Sequence, residues 1–337
     1  MHDKSVTRPV GRGFASVGGA SAAKGRAPTL AAHRAEPKPA APAVHRVAVA
    51  GTTLSVLEWP GESGLPALLL LHGGMGHARW FGPLARALAG RMRVLAPDRR
   101  GHGESDWREP AHYGIKRDLQ DLEAIAAHFG LAHCLVAGHS QGGLIAVPLV
   151  LRGRLSCAGL VLLDVPTDPL APHLISSGHL LRRIPQIRYP TLEAALERFQ
   201  PWPTSHRIPP ETLDEIGRAS FKPLPEGGYT ARFDWRRMRD APAEVPHPFS
   251  GFRAQLAALP MPVLAVRAGD STVLSATDHA AGLGELPNGR GLVVPETTHS
   301  LHAERPDVIA DAIVGFASEI THHGGALMCR PDKKEAR

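Results

Sequence analysis

The chain has 337 residues, of which 43% are hydrophobic, 21% charged and 5% aromatic. That is a globular balance, and a chain of this length buries enough apolar surface to fold without a metal or disulfide staple. Cys134, Cys157 and Cys329 form no C-x-x-C pair, which excludes a disulfide scaffold and argues against a zinc site. The net charge of +6 lies in the tails: residues 1–46 carry eight Lys and Arg against Asp3 and Glu36, and the span 47–323 is slightly acidic. A folded nucleic-acid binder carries its basic patch on the domain, so a nucleic-acid partner is not expected.

Residues 1–44 are rich in Ala, Gly and Pro with Phe14 as their one aromatic, and are expected to be a disordered basic extension. No apolar run follows the first charges, so no secretory signal is read there. The longest apolar stretch, Leu144–Leu151, is far short of the ~20 residues that span a bilayer. No membrane span and a cytoplasmic location are therefore expected.

From residue 45 to 323 strand and helix signals alternate. Strands are expected at Arg46–Ala50, Leu54–Trp59, Ala67–His72, Arg93–Ala96, Cys134–His139, Gly159–Asp164, Val263–Arg267 and Leu292–Val294. Several are short apolar runs without alternation, the mark of strands covered on both faces of a parallel sheet. The first two are joined through Gly51-Thr52-Thr53 and read as a hairpin. One-sided apolar patterns place helices over Ile115–Phe129 and Val308–Ile320. This order predicts an α/β fold with a doubly wound, mostly parallel sheet. The connection between Asp164 and Pro262 is too long for a simple crossover, and residues 168–258 are read as an inserted, mostly helical cap. Residues 324–337 are expected to form a disordered tail.

Four motifs carry chemistry. Gly138-His139-Ser140-Gln141-Gly142 is a G-x-S-x-G pattern that ends an apolar strand and opens a helix. A serine lifted above the sheet edge on such a strained turn is a nucleophile, and side chains at 138 or 142 would collide with the turn. His72-Gly73-Gly74-Met75-Gly76 also follows a strand. Its backbone can supply one N–H donor to a developing oxyanion, from Gly74 or else Met75, and Gln141 can supply the other. Asp98-Arg99-Arg100-Gly101-His102-Gly103 reads as a tight turn in which Asp98 and His102 are structural. His299, in Thr298-His299-Ser300-Leu301-His302 after the last strand, can serve as the base that a serine nucleophile needs. His302 is expected to line the entry of the following helix. No metal or other cofactor is implied.

Together, in this order, these motifs resemble the α/β-hydrolase superfamily over residues 45–322. The resemblance implies an eight-stranded, mostly parallel sheet, a cap after strand six, and a triad in the order nucleophile, acid, histidine. Dehalogenases and epoxide hydrolases of this fold carry Asp at the elbow, and Ser140 argues against both. The acid is irregular. Members show Gly, two residues, then Asp after strand seven, whereas this chain reads Ala268-Gly269-Asp270-Ser271-Thr272. The slot falls on Ser271 or Thr272, depending on whether Ala268 or Gly269 stands for the usual Gly. Asp270 is the only carboxylate nearby and is the preferred acid. Asp164, at the end of strand six, is the alternative, and a chain with no functional acid is the third reading.

The expected function is a serine hydrolase that cleaves an ester-like small molecule through an acyl-enzyme, using Ser140, His299 and Asp270 with Gly74 and Gln141 as oxyanion donors. A C–C bond hydrolase or cofactor-free perhydrolase with the same triad is the alternative. A low-turnover ligand receptor of the same fold comes third. Phe199, Trp202, Phe233, Trp235 and Phe249 are expected to shape an apolar pocket beneath the cap.

Overall fold

The computed structural model describes residues 41–61, 64–170, 185–244, 246–247 and 249–327. Eight strands form one sheet: β1 (Ala43–Val49), β2 (Thr52–Trp59), β3 (Leu68–Leu71), β4 (Val94–Pro97), β5 (Cys134–His139), β6 (Cys157–Leu163), and two that follow the insertion, Val263–Ala268 and Gly289–Val294. The strand order runs β1-β2-β4-β3-β5-β6 and then those last two. β1 with β2 and β2 with β4 pair antiparallel, and every pair beyond β4 in that order is parallel. β1 and β2 close over Ala50 and Gly51, both at positive φ, as a two-residue hairpin turn requires.

The uninterrupted apolar runs have a direct cause. In β3, Leu69 and Leu71 join the core cluster on one face while Leu68 and Leu70 join the cluster on the other. β5 divides likewise, with Cys134 and Val136 on one side and Leu135 and Ala137 on the other. Helices α1 (Gly82–Leu88) and the C-terminal helix Pro306–Leu327 cover one face. Helices α2 (Ile115–His128) and α3 (Gln141–Leu151) cover the other.

The first strand begins at Ala43, inside the expected extension, and pairs Ala43 with Glu58. Residues 1–40 lie outside the described residues. The last helix reaches Leu327, past the expected end of the domain, and residues 328–337 also lie outside the described residues. Among the described residues no helix is long and apolar enough to cross a membrane.

Among its described residues the insertion holds short helices at Leu192–Leu196, Pro210–Ala219 and Arg236–Arg239, and also strands Arg188–Tyr189, Phe221–Pro223 and Tyr229–Ala231 in a three-stranded antiparallel sheet, with Tyr229–Ala231 central. Residues 171–184 of the expected cap lie outside the described residues. Helix Phe252–Ala257, within the expected cap boundary, packs Phe252 and Leu256 into the core beside α3.

A strand covered on both faces makes a specific prediction. Leu69→Ala and Leu70→Ala point to opposite faces and should each cost about 2–5 kcal/mol in urea unfolding. One cheap and one costly substitution would mean that one face of β3 is open.

Candidate active site

All the chemistry sits at the carboxyl ends of the parallel strands. Ser140 follows β5 directly with φ 51° and ψ −123°, and α3 begins at the next residue. Non-glycine residues rarely adopt that conformation, and such strain is found at functional turns. The flanking glycines make it possible. A Cβ on Gly142 would lie 2.0 Å from the Leu71 carbonyl oxygen, and one on Gly138 would lie 2.4 Å from Gly143 N. The end of β3 therefore packs backbone to backbone on the serine turn. As the first residue of α3, Gln141 has an N–H with no acceptor inside the helix.

Ser140, Gly74, Gln141 and His299 line one cavity of ≈ 750 Å³. The five expected aromatics, Phe199, Trp202, Phe233, Trp235 and Phe249, line it too, so part of its wall comes from the insertion.

The carboxylate beside His299 is Asp164, not Asp270. Asp164 Oδ2 lies 2.7 Å from His299 Nδ1, and both side chains are buried. Two further donors hold this carboxylate: Ala268 N–H reaches Oδ1 at 3.0 Å and Ser271 Oγ reaches Oδ2 at 2.7 Å. Asp270 is exposed, and its carboxylate pairs with Arg207 at 2.5 Å. Simple adjacency puts Asp164, and not the expected Asp270, beside His299. β6 pairs with the strand Val263–Ala268, with Leu163 opposite Val266, so the residue after β6 stands beside the segment Ala268–Ser271. Ser271 is one of the two residues on which the usual acid slot falls, and here it donates to the carboxylate that arrives from the neighbouring strand. A serine in that slot next to a strand-six Asp was the signal available in the sequence.

His299 is held from behind. His139 Nε2–H donates to its carbonyl oxygen at 2.8 Å, and the two rings lie 4.5 Å apart. Thr298 N–H donates to Glu304 Oε2 at 2.7 Å, and Ser205 of the insertion donates to Glu304 Oε1 at 2.5 Å.

Asp98 is structural as expected, accepting the N–H groups of Ala78 at 2.6 Å and Glu104 at 2.9 Å. His102 and His302 also belong to the cavity wall, which their motifs did not reveal. His302 packs against His139 in a tilted contact, with ring centroids 4.4 Å apart. His72 and His77 complete this wall. No group of side chains suited to holding a metal ion occurs among the described residues.

Burial lowers the pKa of His72, His102 and His139 well below the usual imidazole value. Desolvation likewise lowers His77 and His302, each to about 3. The unfolded chain therefore binds protons below pH ~6.5 that the folded chain refuses, so stability falls as pH falls through that window. Asp98, raised by burial to about 6, and Asp121, also raised, act in the opposite sense but are fewer. Each unopposed histidine contributes up to about 1.4 kcal/mol per pH unit. Calorimetry should show the Tm falling from pH 7 to pH 5. A Tm that rises or stays constant would contradict neutral burial of these rings.

The alpha/beta hydrolase family profile matches residues 68–312. The sn-1-specific diacylglycerol lipase ABHD11 of Mus musculus is 28% identical over 260 residues, 76% of this chain and 82% of that protein. Esterase Rv0045c of Mycobacterium tuberculosis is 26% identical over 282 residues, 81% of this chain and 89% of its own length. A solved structure of that esterase superposes with a TM-score of 0.68 at 25% identity, covering 83% of this chain and 93% of the esterase chain. With the matched profile spanning most of its sequence, the chain belongs to the alpha/beta hydrolase family.

Proposed function

We propose that this hydrolase is a serine esterase that cleaves an ester-like small molecule through an acyl-enzyme, with Ser140, His299 and Asp164 as its triad. The observation that carries the reading is the buried Asp164–His299 pair, 2.7 Å apart, whose His299 lines the same cavity as Ser140 on its strained strand-to-helix turn. His299 Nδ1–H donates to Asp164, which leaves Nε2 free to accept a proton. Ser140 Oγ attacks the ester carbonyl as His299 takes its proton. The tetrahedral oxyanion is met by the N–H groups of Gly74 and Gln141. The His299 imidazolium, stabilised by Asp164, then protonates the departing alcohol. Water attacks the acyl-enzyme with His299 again as base, and the acid product leaves.

The aromatic lining favours a substrate with a substantial apolar part. The named activities of the two relatives, a diacylglycerol lipase and an esterase, agree with ester chemistry.

Two measurements test the reading. Ser140→Ala should lower turnover of p-nitrophenyl esters by several orders of magnitude and abolish fluorophosphonate labelling, with the fold intact by circular dichroism. If the variant kept a tenth of wild-type turnover, Ser140 would not be the nucleophile. Asp164→Asn should cost roughly 10⁴-fold in kcat, and Asp270→Asn less than about tenfold. The reverse order would return the acid to Asp270, and mild losses in both would mean a Ser-His dyad.

A further inference from the structure

The two proposed oxyanion donors sit on different segments, Gly74 after β3 and Gln141 after β5. One buried side chain touches both segments. Arg99 follows β4 and is 3% exposed. Its Nη2 donates to the Gly73 carbonyl at 3.0 Å and to Gln141 Oε1 at 2.9 Å. Its Nη1 donates to Asp118 Oδ2 at 3.3 Å. Arg237, from the insertion, donates to the same Asp118 oxygen.

The Gly73 carbonyl and the Gly74 N–H belong to one peptide unit. In a planar trans peptide these two groups point in opposite directions. Whatever fixes the carbonyl therefore aims the N–H. The Gly73 carbonyl accepts from Arg99, from His72 Nδ1–H at 2.9 Å and, more distantly, from Gly76 N–H at 3.4 Å. His72 is itself fixed in that tautomer, because its Nε2 accepts the Arg99 backbone N–H at 3.2 Å. Arg99 thus acts on this peptide twice, through its side chain and through its backbone. Gln141 Oε1 is the nearest atom to the place a Cβ on Gly74 would take, at 3.6 Å. That oxygen is the one Arg99 grips.

Stability alone does not account for a cation here. A buried Arg–carboxylate pair adds little net stability over an apolar residue of similar volume. Burial lowers the guanidinium pKa to about 10, so it stays charged at neutral pH. A cation on the carbonyl side of a peptide also polarises the unit and strengthens its N–H as a donor.

We propose that Arg99 is the positioning residue of the oxyanion hole: its guanidinium, anchored on Asp118, holds the Gly73 carbonyl and the Gln141 side chain so that the N–H groups of Gly74 and Gln141 converge on one point. This rests on the serine-esterase reading. It adds a second consequence: through Arg237 and Asp118, the insertion is wired to the same clamp.

The test uses p-nitrophenyl butyrate as substrate, butaneboronic acid as a mimic of the tetrahedral state, and butyrate as a ground-state ligand. Arg99→Met removes the donors. It should lower kcat about 10–100-fold, less than loss of a whole oxyanion donor, because the N–H groups remain but are misaimed. KM should stay within about threefold, since the interaction is strongest in the transition state. Inhibition by butaneboronic acid should weaken by a factor similar to the loss in kcat, and inhibition by butyrate should not change. Arg99→Lys, which keeps a charge beside Asp118, should recover part of the loss. A kcat of Arg99→Met within about threefold of wild type would overturn the proposal, as would equal weakening of both inhibitors. If Arg99→Met does not fold, Arg99→Lys and Gln141→Met decide, and unchanged kcat in both overturns it. Ser140→Ala is run alongside. Activity retained there overturns the serine reading and this proposal with it, whereas loss there with unaffected Arg99 variants overturns this proposal alone.

Discussion

The site depends on one close contact, that of the Ser140 turn with the end of β3. With a Cβ at Gly142 the approach to the Leu71 carbonyl would be 2.0 Å, so only glycine allows it. Gly143 is similarly constrained, since an added Cβ would lie 2.1 Å from a Val165 methyl. These contacts do more than permit φ 51° at Ser140. They bring the His72–Gly74 segment against the first residue of α3, so that Gly74 and Gln141, which follow separate strands, line one cavity. The parallel sheet makes the contact possible, because β3, β5 and β6 all end on the same side.

The sheet was legible because each buried strand carries apolar side chains on both faces, as Leu68–Leu71 shows. All eight of its strands are read from sequence within a few residues of their observed ends. The Gly138–Gly142 motif is legible for a different reason: its glycines are demanded by backbone contacts, so the pattern records geometry directly. The insertion was less so. Strands of two or three residues, such as Arg188–Tyr189, are too short to show a period. The place of His102 and His302 on the cavity wall is not legible in sequence, because it arises from tertiary packing and not from a local pattern.

The carboxylate beside His299 is hard to read from sequence because it depends on which strand ends are neighbours. Sequence spacing measures distance along the chain, and by that measure Asp270 is closer to His299. In space Asp164 is nearer, since β6 and Val263–Ala268 lie side by side. The hydrogen bond from Ser271 then fills the position that a carboxylate usually takes. Arg99 is a comparable case. In sequence it is one of two consecutive arginines. Arg100 is held by Asp121, with contacts of 2.6 Å from Nε and from Nη2, whereas Arg99 turns inward to the segments around Ser140.

The most direct test of the central claim, that Asp164 and not Asp270 orients the base, is the His299 Nδ1 proton itself. In protein with ¹⁵N-labelled histidine, a proton shared between an imidazole nitrogen and a buried carboxylate should give a far-downfield resonance. That signal should be present in the wild type and in Asp270→Asn and absent in Asp164→Asn. Its survival in Asp164→Asn, with loss in Asp270→Asn, would contradict the account.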